Sequence, residues 1–109
     1  MTHSDLVNEI LLYLAPLGLC WKNNSGALKD NQDRLVRYGL KGSTDILACI
    51  KGRFVAVEVK VGRDRLRPAQ KTFAEAVARN NGVVILARSV EDVAVNLFAH
   101  GLIETPADA

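Results

Sequence analysis

The sequence predicts a single α/β domain over residues 1–109, with its elements in the order α-β-β-β-α-β-α. Two patterns indicate this: three segments repeat apolar residues at helical spacing, and short apolar runs bounded by glycine or polar residues lie between them. The composition, 49% hydrophobic and 24% charged, is that of a globular chain. No apolar run approaches the roughly 18 residues that a membrane-spanning helix needs, so no membrane association is expected.

The amino-terminal part is predicted to form a helix, a strand and a long loop. The helix covers residues 4–17, where Ser4 or Asp5 can cap the first turn. Residues 19–23 form the strand, because they are short, rich in large apolar side chains and followed by Asn-Ser-Gly. Residues 24–44 hold three glycines and show no apolar period, so they are expected to be a functional or partly disordered loop.

The centre of the chain is predicted to be a β-hairpin. Its strands cover residues 45–50 and 53–60, two apolar runs that are separated by only two residues. Lys51 and Gly52 supply the turn, because glycine tolerates the positive φ that a tight primed turn demands.

A helix, a strand and a final helix complete the chain. The second helix covers residues 68–80, because Pro68 suits a first helical turn and apolar residues recur on one face. Residues 83–87 form a buried strand, and residues 89–92 offer a capping signature for the last helix. That helix carries more apolar residues than one buried stripe requires. The residues after Glu104 are expected to fray.

The cysteines and the amino-terminus bear on the cellular compartment. Cys20 and Cys49 each lie in an apolar stretch, which indicates reduced core residues, with a disulfide as the alternative. No basic patch precedes the first apolar stretch, so a secretory signal is not expected. Both observations favour a cytoplasmic protein.

Basic residues are concentrated in the middle of the chain. Between Lys22 and Lys71 lie 12 of the 14 basic residues and five of the 12 acids, so this segment carries +7 and the flanks together −5. Such a segment suggests an anionic partner, most economically a nucleic acid backbone, although charge alone fits a solvated face equally well. The candidates for phosphate contacts are Arg34, Arg37, Lys41, Arg63, Arg65 and Arg67.

The predicted hairpin holds two acids opposite each other. Counting outward from the turn places Asp45 across from Glu58 on one face, with their Cβ atoms about 5 Å apart. Strand alternation adds Lys60 to that face. Like charges placed in this way repel each other, whereas a divalent cation binds them. The alternative is that Asp45 caps a turn while Glu58 and Lys60 form a solvated strand face.

An aspartate followed, after a hydrophobic strand, by Glu-x-Lys resembles the PD-(D/E)xK nuclease motif, here Asp45 and Glu58-Val59-Lys60. The P in the name of this motif is a proline before the aspartate, and Thr44 takes its place here. Further segments are similar to the VRR-NUC family, the virus-type replication-repair nuclease domain: residues 24–26, 39–47, 52–60 and 68–73. The similarity extends from about Leu6 to Asp92, nearly the whole chain.

The resemblance implies a restriction-endonuclease-like fold with a central mixed sheet flanked by helices, and a metal-dependent endonuclease acting on DNA. It implies that Asp45 and Glu58 are the metal carboxylates and that Lys60 is the catalytic lysine. It also implies a functional glutamine at Gln70 and an additional acid on the first helix at Glu9. Asn8 competes with Glu9 for facing the site, and a solvated carboxylate is the alternative there.

Each of these residues has an expected role. Asp45 and Glu58, joined by the backbone carbonyl of Val59, are expected to bind Mg²⁺ or Mn²⁺. Lys60 is expected to orient a water or to stabilise charge on the phosphate, with a salt bridge to Glu58 as its structural alternative. Gln70 is expected to reach the site or a phosphate, with an ordinary surface position as its alternative.

The expected substrate is DNA, and a domain of this kind suggests branched or four-way-junction DNA. A homodimer presenting two sites is the expected assembly, because acting on two strands needs two sites at a fixed spacing. Its place would be the cytoplasm of a bacterial or phage-infected cell. Two alternatives stay open: an inactive nuclease-fold module that binds DNA, and a non-enzymatic interaction subunit.

Overall fold

The computed structural model describes residues 1–105, within which the chain forms three helices and six strands. In chain order these are α1 (His3–Leu14), β1 (Leu19–Lys22), β2 (Gly26–Lys29), β3 (Leu35–Tyr38), β4 (Ile46–Ile50), β5 (Arg53–Val59), α2 (Pro68–Arg79), β6 (Val83–Ala87) and α3 (Val90–Ala99). The expected fraying after Glu104 concerns residues that, beyond Thr105, lie outside this description.

Four of the strands form one mixed sheet in the order β1-β4-β5-β6. β4 pairs antiparallel with both β1 and β5, whereas β5 and β6 are parallel and are connected through α2. A parallel pair needs such a crossover, which a hairpin turn cannot provide. The prediction of an α/β domain with a mixed sheet and helices is confirmed.

Alternate residues of β5 face the two sides of the sheet. Val55, Val57 and Val59 are fully buried in the core that α1 and α3 cover. The opposite face carries Glu58, which is hydrogen-bonded to α2, so this carboxylate is turned away from the main core. The sheet therefore has helices on both sides, and the predicted acids lie on the α2 side.

The register of the central hairpin is the predicted one. Lys51 and Gly52 have φ values of 50° and 79°, as a primed two-residue turn requires. Ile50 pairs with Arg53, and Ile46 pairs with Val57 at the other end of the ladder. One step further along the same register lie Asp45 and Glu58.

Two predictions for the amino-terminal part are wrong. α1 is capped by Thr2, not by Ser4 or Asp5: the Thr2 hydroxyl accepts from the Asp5 backbone N–H, and the Asp5 carboxylate accepts from the Thr2 N–H. The helix also ends at Leu14, before residue 17. Pro16 explains the earlier end, because proline has no N–H to continue the helical hydrogen bonds.

Residues 24–44 do not form a simple loop, because β2 and β3 pair within them as a separate antiparallel hairpin. The element order is thus α-β-β-β-β-β-α-β-α. Every residue of both strands is exposed, so no alternation of buried and exposed positions marks them in the sequence. Asp30 shapes the turn, since its Oδ1 accepts backbone N–H groups from Gln32 and Arg34 at 2.9 Å each.

The remaining elements follow the sequence closely. α2 begins with Pro68 and α3 is capped by Ser89, whose hydroxyl accepts from the Asp92 N–H. Both cysteines are free, and Cys49 is exposed rather than a core residue because it lies on the outward face of β4. None of the helices within residues 1–105 has the length and apolar character needed to cross a membrane.

Candidate metal centre

Asp45 lies immediately before β4, where it is braced by the end of β1. Asn23 holds the backbone around it: its N–H donates to the Asp45 carbonyl at 2.8 Å, and its side-chain Nδ2 donates to the Thr44 carbonyl at 2.8 Å. Thr44 is buried, and its hydroxyl donates to the Ile46 carbonyl. The Asp45 carboxylate is thereby directed across the hairpin, where Oδ2 accepts the Val59 N–H at 2.8 Å.

Glu58 is buried on the opposing strand and is held by two donors at one oxygen. Lys60 Nζ lies 3.2 Å from Glu58 Oε2, and Gln70 Nε2 donates to the same atom at 2.8 Å. Gln70 comes from the first turn of α2, and its Oε1 accepts from Lys60 Nζ at 3.2 Å and from the Arg67 N–H at 2.8 Å. One glutamine side chain therefore connects the acid, the lysine and the helix start.

The two acids affect each other electrostatically. Burial raises the pKa of Glu58 above its ordinary value, the negative charge of Asp45 raises it further, and Lys60 partly offsets both effects. The two carboxyl groups therefore lie close enough to influence each other across the hairpin. Two neighbouring carboxylates that repel each other favour a cation between them.

The donor set fits Mg²⁺ or Mn²⁺. One oxygen of each acid is held by protein donors, whereas no donor of the described residues lies within hydrogen-bond distance of Asp45 Oδ1 or Glu58 Oε1. Within residues 1–105, no three His, Cys, Asp or Glu side chains are grouped to enclose an ion alone. Mg²⁺ does not need such a cage, since it is usually bound by one or two carboxylates with water and substrate phosphates.

The backbone of Val59 is free to face the same site, because β4 begins at Ile46, which pairs with Val57, and does not extend beside Val59. Its N–H is bound by Asp45, and its carbonyl lies 3.0 Å from His3 Nε2. His3 Nε2 is also 3.4 Å from Asp45 Oδ2, so one imidazole nitrogen contacts two oxygens of the candidate site. His3 is not among the predicted site residues, because helical periodicity does not say which end of α1 lies over the sheet edge.

Glu9 is placed elsewhere by the structure. It lies six residues along α1 from His3, about 9 Å further along the helix axis. Its side chain is exposed and lines a surface depression with Ser89, Val90 and Glu91 at the start of α3. α1 therefore brings His3, not Glu9, to the acids. Asn8 is also exposed and lines another surface depression, with residues of β1.

The six candidate phosphate contacts fall into two groups. Arg63, Arg65 and Arg67 are exposed on the segment that follows Lys60 directly. The others belong to the β2–β3 hairpin or its base: Arg34 is paired with Asp30 at 2.8 Å, while Arg37 and Lys41 line a surface pocket beside Tyr38.

The structure thus brings together five of the six residues that the sequence assigned to chemistry: Asp45, Glu58, Val59, Lys60 and Gln70. His3 and Asn23 join them, and Glu9 does not. No model of a known protein family matches the chain, and a search among curated proteins finds no match.

Proposed function

We propose that this domain is a divalent-metal-dependent endonuclease that hydrolyses phosphodiester bonds in DNA. The observation that carries the proposal is the pair of opposed acids, Asp45 and Glu58, with the Lys60 ammonium group 3.2 Å from Glu58 Oε2. Two carboxylates that are held close together, one of them buried, oppose folding unless a cation or a proton lies between them. A segment with three exposed arginines follows at once, which provides contacts for a polyanion.

The two acids and the Val59 carbonyl would hold the Mg²⁺ or Mn²⁺ ion. When bound, the ion supplies Lewis acidity toward a phosphate oxygen and lowers the pKa of a water ligand. The protein fixes the acids beforehand: Asp45 is oriented by the Val59 N–H at 2.8 Å, and Glu58 by Gln70 Nε2 at 2.8 Å. Ligands that are already oriented need little rearrangement when the ion binds.

Lys60 is positioned to act on the substrate. Its ammonium group contacts Glu58 Oε2 and Gln70 Oε1, both at 3.2 Å. Because an ammonium group has three donors, one N–H is left for a water or a phosphate oxygen. A fixed positive charge at that point stabilises the negative charge that develops on the phosphate during hydrolysis. This role needs the lysine to be held, which the two contacts achieve.

The proposal extends to fold family, substrate and assembly. Opposed Asp and Glu-x-Lys residues on paired strands of an α/β domain are the arrangement expected of a PD-(D/E)xK nuclease, and the VRR-NUC resemblance favours branched or four-way-junction DNA. One copy of the domain carries one such site. A twofold homodimer would present two sites at a fixed spacing, which suits a near-symmetric junction. Its place of action would be the cytoplasm.

The test is incubation with labelled duplex, flap, single-stranded and four-way-junction DNA, with Mg²⁺, with Mn²⁺ and with chelator. Cleavage that requires the ion and disappears in Asp45→Asn supports the proposal. The matched control is Asp33→Asn, which makes the same change at an exposed aspartate in the turn between β2 and β3. Binding without cleavage would identify a DNA-binding module instead, and neither binding nor cleavage would leave an interaction subunit.

A further inference from the structure

The segment between β5 and α2 is a basic loop, defined here as residues 61–67. It exposes Arg63, Arg65 and Arg67 and has Asp64 as its single acid. Its internal backbone support is weak, because the hydrogen bond from the Asp64 N–H to the Val61 carbonyl is long, at 3.4 Å. Gln70 holds its far end through the Arg67 N–H, so the middle of the loop needs another support.

Arg88 provides that support from the end of the neighbouring strand. Its Nη1 donates to the Gly62 carbonyl at 2.8 Å, and its Nη2 donates to the Asp64 carbonyl at 2.5 Å. The two strands are parallel and end together, as the Lys60 N–H to Ala87 carbonyl bond of 3.0 Å shows. The residue after β6 therefore lies beside the loop that leaves β5.

The contact is specific to a guanidinium group. A planar fork of donors binds two carbonyls in a fixed relative orientation, whereas an ammonium group is a single charged point. The two carbonyls belong to the residues on either side of Arg63. Arg88 is itself anchored, because its backbone N–H donates to Asp92 Oδ2 at 2.8 Å in the first turn of α3.

We propose that Arg88 is a positioning residue for DNA binding: it fixes the backbone of the basic loop, so that Arg63, Arg65 and Arg67 are already ordered when they meet the phosphates. The inference rests on the proposed function. Ordering a loop before association removes part of the entropy cost of binding. The Arg88 guanidinium is engaged by the loop, so its contribution comes through the neighbouring arginines rather than through its own charge.

Two variants separate these contributions. Arg88→Ala removes charge and hydrogen bonds, whereas Arg88→Lys keeps the charge and loses the fork. The control is Arg79→Ala, an exposed arginine at the far end of α2, about 17 Å along the helix from Pro68. Thermal melts with and without Mg²⁺ show whether each variant is folded and retains its metal response.

The first measurement uses no DNA. Trypsin cleaves after arginine but poorly before proline, so cleavage of native protein reports on Arg63 and Arg65 and not on Arg67, which precedes Pro68. Both Arg88 variants should be cut in the loop about tenfold faster than wild type, because local opening governs the rate. Arg79→Ala should be cut there at the wild-type rate. Unchanged loop cleavage in both Arg88 variants would overturn the inference.

The second measurement is the affinity for a fluorescent DNA duplex at two salt concentrations. We expect both Arg88 variants to bind about three- to tenfold more weakly, with a shallower salt dependence, because fewer phosphate contacts form. Wild-type affinity in Arg88→Lys alone would make Arg88 a direct phosphate contact and overturn the positioning role. Wild-type affinity in both variants would overturn the inference and leave the nuclease proposal intact. A wild-type protein that binds no DNA would overturn both.

Discussion

Gln70 Nε2 donates a hydrogen bond of 2.8 Å to Glu58 Oε2, which joins the first turn of α2 to the carboxyl end of β5, an inner strand of the sheet. The other end of the same amide accepts from Lys60 Nζ. A helix that forms on the far side of a loop thereby sets the orientation of two charged groups on β5. The orientation of Glu58 and Lys60 therefore depends on how α2 begins.

Replacing Gln70 tests this dependence. Gln70→Ala leaves Glu58 with one donor fewer and removes the acceptor of the Arg67 N–H, so the free energy of unfolding should fall by about 1–2 kcal/mol. Metal-dependent cleavage should fall about tenfold or more, because acid and lysine lose their common support. The control is Gln32→Ala in the β2–β3 turn. Equal effects of the two substitutions would reduce Gln70 to a surface residue.

Asp45→Asn should abolish cleavage without weakening the fold. The asparagine oxygen can still accept the Val59 N–H, and the change removes the negative charge that raises the pKa of Glu58. Stability in chelator should match wild type within about 0.5 kcal/mol or exceed it. Thermal melts and cleavage assays on one preparation check both parts. Gross unfolding of this variant would show that Asp45 is a structural residue.

The raised pKa of Glu58 predicts a particular pH dependence of stability. Its ordinary value is 4.5, and burial next to Asp45 raises it, so the folded protein binds the proton more tightly than the unfolded chain. This contribution is complete below the unfolded pKa and is lost as pH rises through the folded one. In chelator, wild type should therefore lose stability relative to Glu58→Gln as pH rises above about 4.5.

The stabilisation of the fold by Mg²⁺ should have the opposite dependence on pH. Proton and ion compete for the same carboxylates, so the stabilisation by Mg²⁺ should grow as pH rises through the folded pKa of Glu58. Melting temperatures at several pH values, with Mg²⁺ and with chelator, measure both trends. If the difference in stability between wild type and Glu58→Gln does not change with pH, the electrostatic account is contradicted.

His3 lies against two oxygens of the candidate site, the Val59 carbonyl and Asp45 Oδ2. If its N–H must leave when an ion binds, His3→Ala should raise the Mg²⁺ affinity by about two- to tenfold, the equivalent of one neutral hydrogen bond. Isothermal titration of Mg²⁺ measures this, with the exposed His100→Ala as control. A loss of affinity in His3→Ala would instead make the imidazole a ligand.

The homodimer should appear in light scattering as a mass of about 24 kDa, twice the 11.9 kDa chain. The structure explains most apolar residues of the last helix as core, but Val95 and Phe98 stay 54% and 46% exposed. Replacing both by glutamate should shift the mass toward one chain if this face is the interface. A wild-type protein that is monomeric at micromolar concentration yet cuts junctions symmetrically would contradict the dimer.

The features that followed from the sequence are those that local chemistry decides. Lys51 and Gly52 determine the turn, the turn determines the register, and the register places Asp45 beside Glu58. Pro68 and Ser89 mark the starts of α2 and α3 for similar local reasons. These signals operate over a few residues, so reading them needs no knowledge of the packing.

The features that were missed depend on distant parts of the chain. His3 contacts Val59 across 56 residues, and the orientation of α1 on the sheet decides that contact. The same orientation turns Glu9 toward α3. The β2–β3 hairpin left no periodic signal because neither of its faces is buried. Burial produces the patterns by which strands are recognised, and this hairpin lacks it.

That hairpin has a consequence for how the domain can vary. β2 and β3 make at most sparse contact with the other helices and strands of residues 1–105, and an isolated two-stranded hairpin contributes little stability of its own. The acids are braced instead by Asn23, Val59 and Gln70, which lie outside it. The tip around Asp30 is thus a site where residues can be inserted, deleted or exchanged while the geometry around Asp45 and Glu58 is kept. If the domain is the nuclease proposed above, its preference for a DNA shape can then change separately from its chemistry.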